Sequence, residues 1–421
     1  MRWSEILTEI GASLKFHRRR SLLTVLSLGW GLACFVILMS YGDGFARAMS
    51  DSFTAIGQDL VLTVGGQTSL QAGGMRSGRR IQLELADVGA IRDAVSLVGP
   101  MSPEVFRGGM SVTRGTRENT YQTRGVWPEY QAVRNIRMAS GRWFNHEDTQ
   151  RRERVAVLGS QAAFELFSAI PPVGEEITLN GQRFTVVGVL QTKGQLASYN
   201  APDNMCVFIP FETMALFRDI RYVDMIVWSP VTPAVREEAI RQVRATLAGL
   251  HRFSPQDQKA IEILAFNKFM KIIDGMGMAL KALLAFIGSL TLAIGAIGLA
   301  NIMLASVIER TREIGMLKAI GGRRRTILAQ FLVEALVIVG AGALLGILFG
   351  VCLTWALGSM PLLGPLFKRT GAENAGRVQL QISTASVMVS TAVLLAIGLI
   401  AGMAPAIKAS RLDPVEALRY E

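Results

Sequence analysis

The 421-residue chain is poor in the residues that build disulfide frameworks and metal centres, with three cysteines and three histidines. Cys34 and Cys352 lie inside apolar runs, so Cys206 is a lone thiol in the polar part of the chain. A disulfide bond within the polar part of the chain is therefore excluded. No Cys/His cluster has the spacing of metal ligands. The sequence predicts no metal site and no cofactor in this chain.

The chain also has no convincing nucleotide-binding or catalytic motif. The stretch from Gly73 to Arg80 mimics part of a Walker A loop, but Arg79 and Arg80 stand where a lysine and a serine or threonine are required. The run from His146 to Asp148 lacks a matching nucleophile or metal pattern, and a solvated turn is the better interpretation. We expect a chain that is not itself an enzyme.

Charged residues make up only 18% of the chain, while 50% is hydrophobic and the mean hydropathy is +0.34. Each of four runs has no charged residue and reaches the roughly 20 residues that a membrane span needs. These runs are Ser21 to Gly42, Ala282 to Ile308, Ala335 to Phe367 and Ile382 to Ile407. The third run is longer than needed and is expected to end near Ser359, before Pro361. The pattern predicts a membrane protein with four spanning helices.

Basic residues flank the four runs unevenly, which predicts the orientation. They cluster before the first run (Lys15, Arg18, Arg19, Arg20), between the second and third (Arg310, Arg312, Lys318, Arg323, Arg324, Arg325) and after the fourth (Lys408, Arg411, Arg419). Both termini are therefore expected in the cytoplasm. Anionic lipid explains the net charge of +11 better than nucleic acid does. The first run is long for a signal peptide and no small-x-small cleavage site follows it, so we expect an uncleaved anchor.

These patterns predict four transmembrane α-helices, with a large extracytoplasmic mixed α/β domain inserted between helices 1 and 2. The expected order is an amphipathic N-terminal helix (1–20), helix 1 (21–42), the external domain with its stalk (43–278), helix 2 (279–308), a cytoplasmic loop (309–326), helix 3 (327–359), a short outer loop (360–381), helix 4 (382–407) and a cytoplasmic tail (408–421).

Local signals within 43–278 predict both strands and helices. Asn180-Gly181 joins two alternating runs, Glu176 to Leu179 and Arg183 to Leu190, and is the strongest short hairpin signal. Further predicted strands are Arg154 to Leu158, Cys206 to Ile209 and Val223 to Trp228, and predicted helices are Asp87 to Val95, Ser160 to Phe167 and Thr232 to Leu250. The segment from Gln258 to Lys281 is predicted as an amphipathic helix that runs into the second span as a stalk. A packing helix of the domain is the alternative.

Small residues recur at four-residue spacing in three spans, a pattern that allows close helix packing. They are Ala285, Ser289 and Ala293, then Gly342, Gly346 and Gly350, then Gly398 and Gly402. The pattern leaves open whether they pack within one chain or between two. In the loop, Ile308, Met316, Leu317 and Ile320 can form one apolar helical face, and Gly321 with Gly322 can end that helix.

The segment from Val307 to Gly321 (VIERTREIGMLKAIG) resembles the signature that follows the second span of MacB/FtsX-type ABC transporter permeases. The tail from Arg411 to Arg419 (RLDPVEALR) is similar to the ending of the same family, and Gly42-Asp43-Gly44 and Gly141-Arg142-Trp143-Phe144 add further matches. The resemblance implies a permease that transmits force to an external domain. It also implies that the loop docks into an ATPase rather than lying on lipid.

The residues expected to contact that ATPase are Glu309, Arg310, Arg312, Glu313, Gly315, Met316, Leu317, Lys318, Ile320 and Gly321. Because the sequence contains no Walker A motif, the chain is expected to differ from MacB itself in lacking a fused ATPase domain, and ATP and magnesium are expected on a separate cytoplasmic ABC ATPase subunit. The resemblance further implies a second permease copy or a related permease. A periplasmic adaptor and an outer-membrane channel are candidate partners. An FtsX-like regulator of cell-wall hydrolases and a lipoprotein-releasing permease are the alternatives.

Overall fold

The computed structural model describes residues 18–57, 59–168, 170–195, 199–357, 359–360, 378–380 and 382–418. Most of the predicted N-terminal helix (1–20) and outer loop (360–381) therefore lies outside the described residues. The chain divides into two compact units. The helical unit comprises 1–47, 275–360 and 378–421, and the sheet unit comprises 48–274 with 361–377.

Four long helices within the described residues are apolar enough to cross a membrane. They are α1 (Arg18–Thr54), α7 (Asn267–Glu309), α9 (Arg324–Leu357) and α10 (Thr384–Arg411). Each of the four predicted apolar runs overlaps one of them, and the third run continues beyond the end of α9 at Leu357. Two short helices, α8 (Thr311–Ala319) and α11 (Pro414–Leu418), complete the helical unit, and β13 (Ser359–Met360) pairs with β14 (Val378–Gln379).

The glycines of α9 and α10 lie where helices touch. A Cβ atom added at Gly346 would lie 2.7 Å from the Gly29 carbonyl oxygen of α1, and one added at Gly398 would lie 2.6 Å from the Val339 side chain of α9. The structure thus packs Gly342, Gly346 and Gly350 on α1, and Gly398 and Gly402 on α9. These stripes serve contacts within one chain.

The contact stripe of α7 differs from the one predicted. Ala285, Ser289 and Ala293 are only half-buried. Instead, a Cβ atom at Gly288 would lie 2.4 Å from the Phe35 ring of α1. The missing side chain lets α7 approach α1 most closely one position away from the predicted stripe.

The sheet unit is built on one ten-stranded, mostly antiparallel sheet. Its order is β12-β1-β11-β3-β4-β9-β6-β8-β5, with β7 paired to β3 and β8. The strands are β1 (Val61–Gly65), β3 (Val98–Arg114), β4 (Arg117–Val126), β5 (Met138–Gly141), β6 (Val155–Leu158), β7 (Glu176–Leu179), β8 (Gln182–Leu190), β9 (Cys206–Pro210), β11 (Met225–Pro230) and β12 (Ile261–Ala265). A small second sheet pairs β2 (Leu83–Glu84) with β10 (Tyr222–Val223).

Five helices accompany these strands: α2 (Leu85–Ala94), α3 (Tyr130–Val133), α4 (His146–Gln150), α5 (Ser160–Phe167) and α6 (Arg236–His251). Three short 3-10 segments, Asp203–Met205, Phe211–Leu216 and Pro233–Val235, connect them to strands. The mixed α/β prediction is confirmed. The β7–β8 hairpin is also as predicted, because Asn180 (φ 48) and Gly181 (φ 86) adopt the left-handed conformations that a tight two-residue turn needs.

Two sequence predictions in this unit are wrong in part. The helix predicted from Gln258 to Lys281 begins only at Asn267, because Ile261–Ala265 forms β12 and pairs along its whole length with β1. The strand predicted from Val223 to Trp228 divides into β10 and β11 at Asp224. The long β3–β4 hairpin was not anticipated, since Pro103 and the Gly108-Gly109 bulge interrupt its alternation.

Candidate functional site

The loop at 309–326 folds into a short helix between two spans. α7 ends at Glu309, and the Thr311 hydroxyl donates hydrogen bonds to the Val307 and Ile308 carbonyls at 3.0 and 2.8 Å. α8 closes with paired backbone bonds, from Gly322 N–H to the Leu317 carbonyl (2.9 Å) and from Gly321 N–H to the Lys318 carbonyl (3.1 Å). With Gly321 at φ +94, this is a Schellman motif, so the predicted glycine stop is confirmed.

α8 exposes large apolar side chains at the end of the helical unit. Ile320 is 83% exposed, Met316 51% and Leu317 40%, and Ile308 is exposed just before them. Ile314, by contrast, is buried in the core of the helical unit. The helix therefore has two apolar faces, one used inside the chain and one left for lipid or a partner.

Gly315, predicted as a contact to the ATPase, faces another helix of the same chain. A Cβ atom at Gly315 would lie 2.7 Å from the Cβ atom of Ala417, which is buried in α11. α11 itself is capped by Asp413, whose carboxylate accepts a hydrogen bond from Val415 N–H at 2.8 Å. α11 thus begins directly after this cap. α8 and α11 form one packed pair that needs glycine at 315.

Lys318 ties α8 to the end of α10. Its ammonium donates to the carbonyl oxygens of Ser410 (2.9 Å) and Leu412 (2.5 Å). The last carbonyls of a helix have no intrahelical partner and favour a cation. Burial and the nearby Arg324 lower the pKa of Lys318, and Asp413 opposes this. Lys318 was predicted to face the ATPase, but its ammonium is engaged within the chain.

Among the other charged residues of the loop, Arg310 forms ion pairs with two carboxylates. Arg310 lies 3.2 Å from the Glu313 carboxylate and 3.8 Å from that of Glu334 in α9. Glu334 is nearly buried, so this contact joins the start of the loop to the third span. The exposed charged residues are Glu309, Arg312, Arg323, Arg324 and Arg325. The four arginines of this set give the loop a basic surface beside the exposed apolar residues of α8, and Glu309 lies among them.

A second polar junction, which sequence reasoning missed, lies at the other end of the spans. Asp43 of α1 forms an ion pair with Lys281 of α7, and the Ser386 hydroxyl of α10 donates to the Asp43 carboxylate at 2.6 Å. Asp43 is 8% exposed. Its Gly-Asp-Gly setting was noted as a match, but nothing local indicated that one carboxylate joins three helices.

A buried ion cluster lies inside the sheet unit, and it too was not predicted. Asp203 accepts from Arg134 at 2.7 Å, from Arg124 at 3.1 Å and from Lys193 at 3.2 Å. Glu104 lies 3.5 Å from Arg124 and accepts from the Tyr199 hydroxyl at 2.6 Å. The two carboxylates and both guanidinium groups are fully buried.

Burial and the neighbouring charges together set the pKa values in this ion cluster. Burial raises the pKa of Glu104, although Arg124 opposes it. Burial lowers the pKa of Lys193 to about 8, with Asp203 opposing. Burial alone would raise the pKa of Asp203, but Arg134, Lys193 and Arg124 outweigh it and hold that pKa below its ordinary value.

Arg134 also donates to the Ile56 carbonyl at 3.1 Å, just beyond the end of α1. The ion cluster is therefore a buried structural centre, and it binds the backbone of the segment that follows α1 in the sheet unit.

Two family models together match most of the chain. A model of the MacB-like periplasmic core domain matches residues 21–246, and one of the FtsX-like permease C-terminal region matches residues 285–414. The macrolide export ATP-binding/permease protein MacB of Bdellovibrio bacteriovorus is 35% identical over 97% of this chain, and that of Chlorobaculum tepidum is 31% identical over the same share. The chain spans about 60% of the length of either relative.

Among solved structures, the periplasmic region of MacB from Actinobacillus actinomycetemcomitans matches with a TM-score of 0.41 at 20% identity, covering 53% of this chain and 96% of that one. The family matches confirm the predicted architecture of four candidate membrane helices with a periplasmic MacB-like domain between the first two. The chain is thus a multi-pass inner-membrane protein, and it belongs to the MacB/FtsX-type family of ABC transporter permeases.

Proposed function

We propose that this chain is a permease subunit that works by mechanotransmission. In this proposal a separate cytoplasmic ATPase hydrolyses ATP, and the resulting movement reaches the domain on the outer side, where a substrate is exported or extracted. One observation carries the proposal: α1 and α7 are unbroken helices of 37 and 43 residues. At about 1.5 Å per residue they extend roughly 55 and 65 Å, well beyond the roughly 30 Å hydrocarbon core.

The strands next to α1 and α7 in the sequence pair with each other. α1 leads to β1 and β12 leads to α7, and these two strands are antiparallel neighbours with Val61 opposite Ala265. The Phe266 N–H donates to the Leu60 carbonyl at 3.0 Å, which extends the pairing towards α7. A shift of either helix is therefore applied to paired strands rather than to separate loops. This supports a domain that responds to the two helices together.

The 309–326 loop supports the first step of the proposal, in which the ATPase binds and moves the permease. Its exposed Met316, Leu317 and Ile320 lie within a basic surface, as expected for a helix that docks into a groove of another protein. This assignment places the loop and both termini in the cytoplasm. Gly315 and Lys318 hold α8 in position from within the chain.

The proposed function also implies which proteins the chain assembles with. We infer a cytoplasmic ABC ATPase and a second permease, either another copy of this chain or a related one. A periplasmic adaptor and an outer-membrane channel fit a transporter that moves its substrate onward. The two MacB relatives, both named for macrolide export, favour export over regulation of cell-wall hydrolases.

Leu317→Asp tests the docking step. Burying an unpaired carboxylate in an apolar groove costs several kcal/mol, about enough to lower ATPase retention a hundredfold or more. The measurement is the amount of vanadate-sensitive ABC ATPase retained on affinity-purified chains at matched membrane levels. Leu317→Met is the matched control, because it keeps volume and apolar character and should retain the ATPase. Normal retention by Leu317→Asp would show that α8 is a lipid-facing turn.

A further inference from the structure

We propose that α10, the fourth span, is the link that carries movement of the 309–326 loop to the stalk helix α1. The inference rests on the proposed function and assigns positioning roles to Lys318 and Ser386. α7 joins the loop directly in sequence, whereas α1 does not. α9 also follows the loop in sequence and packs on α1, but its glycine contacts there are with apolar side chains and backbone. α10 adds a connection from the loop to α1 that is polar at both ends.

At the loop end, the link is the Lys318 ammonium. It donates to the Ser410 and Leu412 carbonyls and so engages the terminal backbone of α10 rather than a side chain. Backbone acceptors at a helix end cannot rotate away as side chains can. The packing of Gly315 on Ala417 holds α8 against α11, which follows α10 after two residues. Displacing α8 therefore displaces the end of α10.

At the opposite end, the link is the Ser386 hydroxyl. It donates to the Asp43 carboxylate of α1, and both side chains are buried. Asp43 is held in turn by Lys281 of α7. A hydrogen bond to a buried carboxylate is among the stronger polar contacts in proteins. A displacement of α10 along its axis is thus passed to α1 at this level.

Between the two ends, α10 is one continuous helix from Thr384 to Arg411. At about 1.5 Å per residue, Ser386 and Ser410 are separated by roughly 36 Å, close to the thickness of a bilayer core. Along its length, Gly398 and Gly402 make apolar contacts with α9, whereas the contacts at the two ends of α10 are polar. α10 can therefore transmit displacement over the whole membrane.

Lys318→Met and Ser386→Ala each remove one end of the link. The exposed residues of α8 remain, so ATPase binding should stay within about twofold of wild type. Matched controls are Lys408→Met, an exposed lysine near the same end of α10, and Ser383→Ala, whose hydroxyl does not cap the helix. Lys318→Arg should behave as wild type, because a guanidinium can also donate to both carbonyls.

The readout is the distance between spin labels at Asp51→Cys in α1 and Asp274→Cys in α7, in a background without the three native cysteines. Labelled chains are diluted with unlabelled ones and carry the ABC ATPase that copurifies with the chain. In wild type and controls, trapping with ATP and vanadate should leave one narrow distance distribution, because both helices are driven together. In Lys318→Met and Ser386→Ala the polar link through α10 is broken, and α1 follows the loop only through its packing on α7 and α9. Trapping should therefore shift or broaden the distribution.

Two results would overturn the link: wild-type distributions in both variants, or loss of the ATPase from Lys318→Met, which would make Lys318 a docking residue. A wild-type chain that retains no vanadate-sensitive ABC ATPase would instead refute the proposed function, and the link with it.

Discussion

Replacing Asp203 by asparagine removes one of two carboxylates that face three buried cations in the sheet unit. Asp203 contacts Arg124, Arg134 and Lys193 at 2.7–3.2 Å. At an effective dielectric constant near 20, a contact at 4 Å is worth about 4 kcal/mol before desolvation. Removing one partner of a buried ion pair costs about 3–5 kcal/mol net, because the opposite charges stay buried. Asp203→Asn should therefore lose a large share of the roughly 5–15 kcal/mol that holds a domain folded.

Cys206 offers a direct assay of this loss. Its thiol is buried beside the ion cluster, 3.2 Å from the Pro202 carbonyl, and burial raises its pKa to about 12. A maleimide can react only when the domain opens. In chains with Cys34 and Cys352 replaced, a loss of 3–5 kcal/mol should accelerate Cys206 labelling by about 150- to 5,000-fold.

Control variants distinguish the loss of a buried carboxylate from the loss of an exposed one. Asp219→Asn breaks an exposed contact with Arg221 at 3.8 Å and should change the labelling rate by about twofold or less. Adding Lys193→Met to Asp203→Asn removes one unpaired cation and should restore part of the protection. Labelling of Asp203→Asn within threefold of wild type would refute the reasoning, because the ion cluster would then contribute little to folding.

Two further predictions concern packing and pH. Gly346→Ala should lower the free energy of unfolding of the chain in detergent by about 1–3 kcal/mol, because its Cβ atom would lie 2.7 Å from the Gly29 carbonyl oxygen. Gly340→Ala should leave it unchanged, because the Cβ atom there meets no described atom within 4 Å. Equal melting temperatures would contradict this. Because burial lowers the pKa of Lys193 to about 8, the unfolded chain binds more protons than the folded chain between about pH 8 and 10.4. Stability from this group should therefore rise with pH in that window, and Lys193→Met should abolish the rise in pH-dependent melting.

The features that the sequence predicts well are the ones set by nearby residues. The four apolar runs, the Asn180-Gly181 turn and the glycine stop at Gly321 each depend on a few neighbouring positions. Strand β12 was mistaken for helix because its short apolar run fits either periodicity, and its partner β1 lies about 200 residues away. Pairing with β1, rather than the local preference of its residues, determines that this segment is a strand.

The polar junctions could not be read from the sequence for a similar reason. Arg124 and Asp203 are 79 positions apart, and Asp43 and Ser386 are 343 apart. No local pattern around any of these four residues indicates its partner. Only the folded chain brings them together and removes them from water. The intrachain use of Lys318 and Gly315 was missed because a family signature does not tell internal contacts from external ones.

The position of β1 in the sheet has a consequence for how the protein is made. β1 follows α1 early in the chain, yet its two neighbours are β11 and β12, with Val61 opposite both Trp228 and Ala265. Until those later strands have been synthesised, the backbone N–H and C=O groups of β1 have no partners in the native sheet. Contacts of such sequence separation form slowly, and unpaired strand edges can associate with other chains in the meantime. Folding of the sheet unit can therefore finish only after nearly all of it has been translated, so newly made chains pass through an interval in which protection by chaperones matters most.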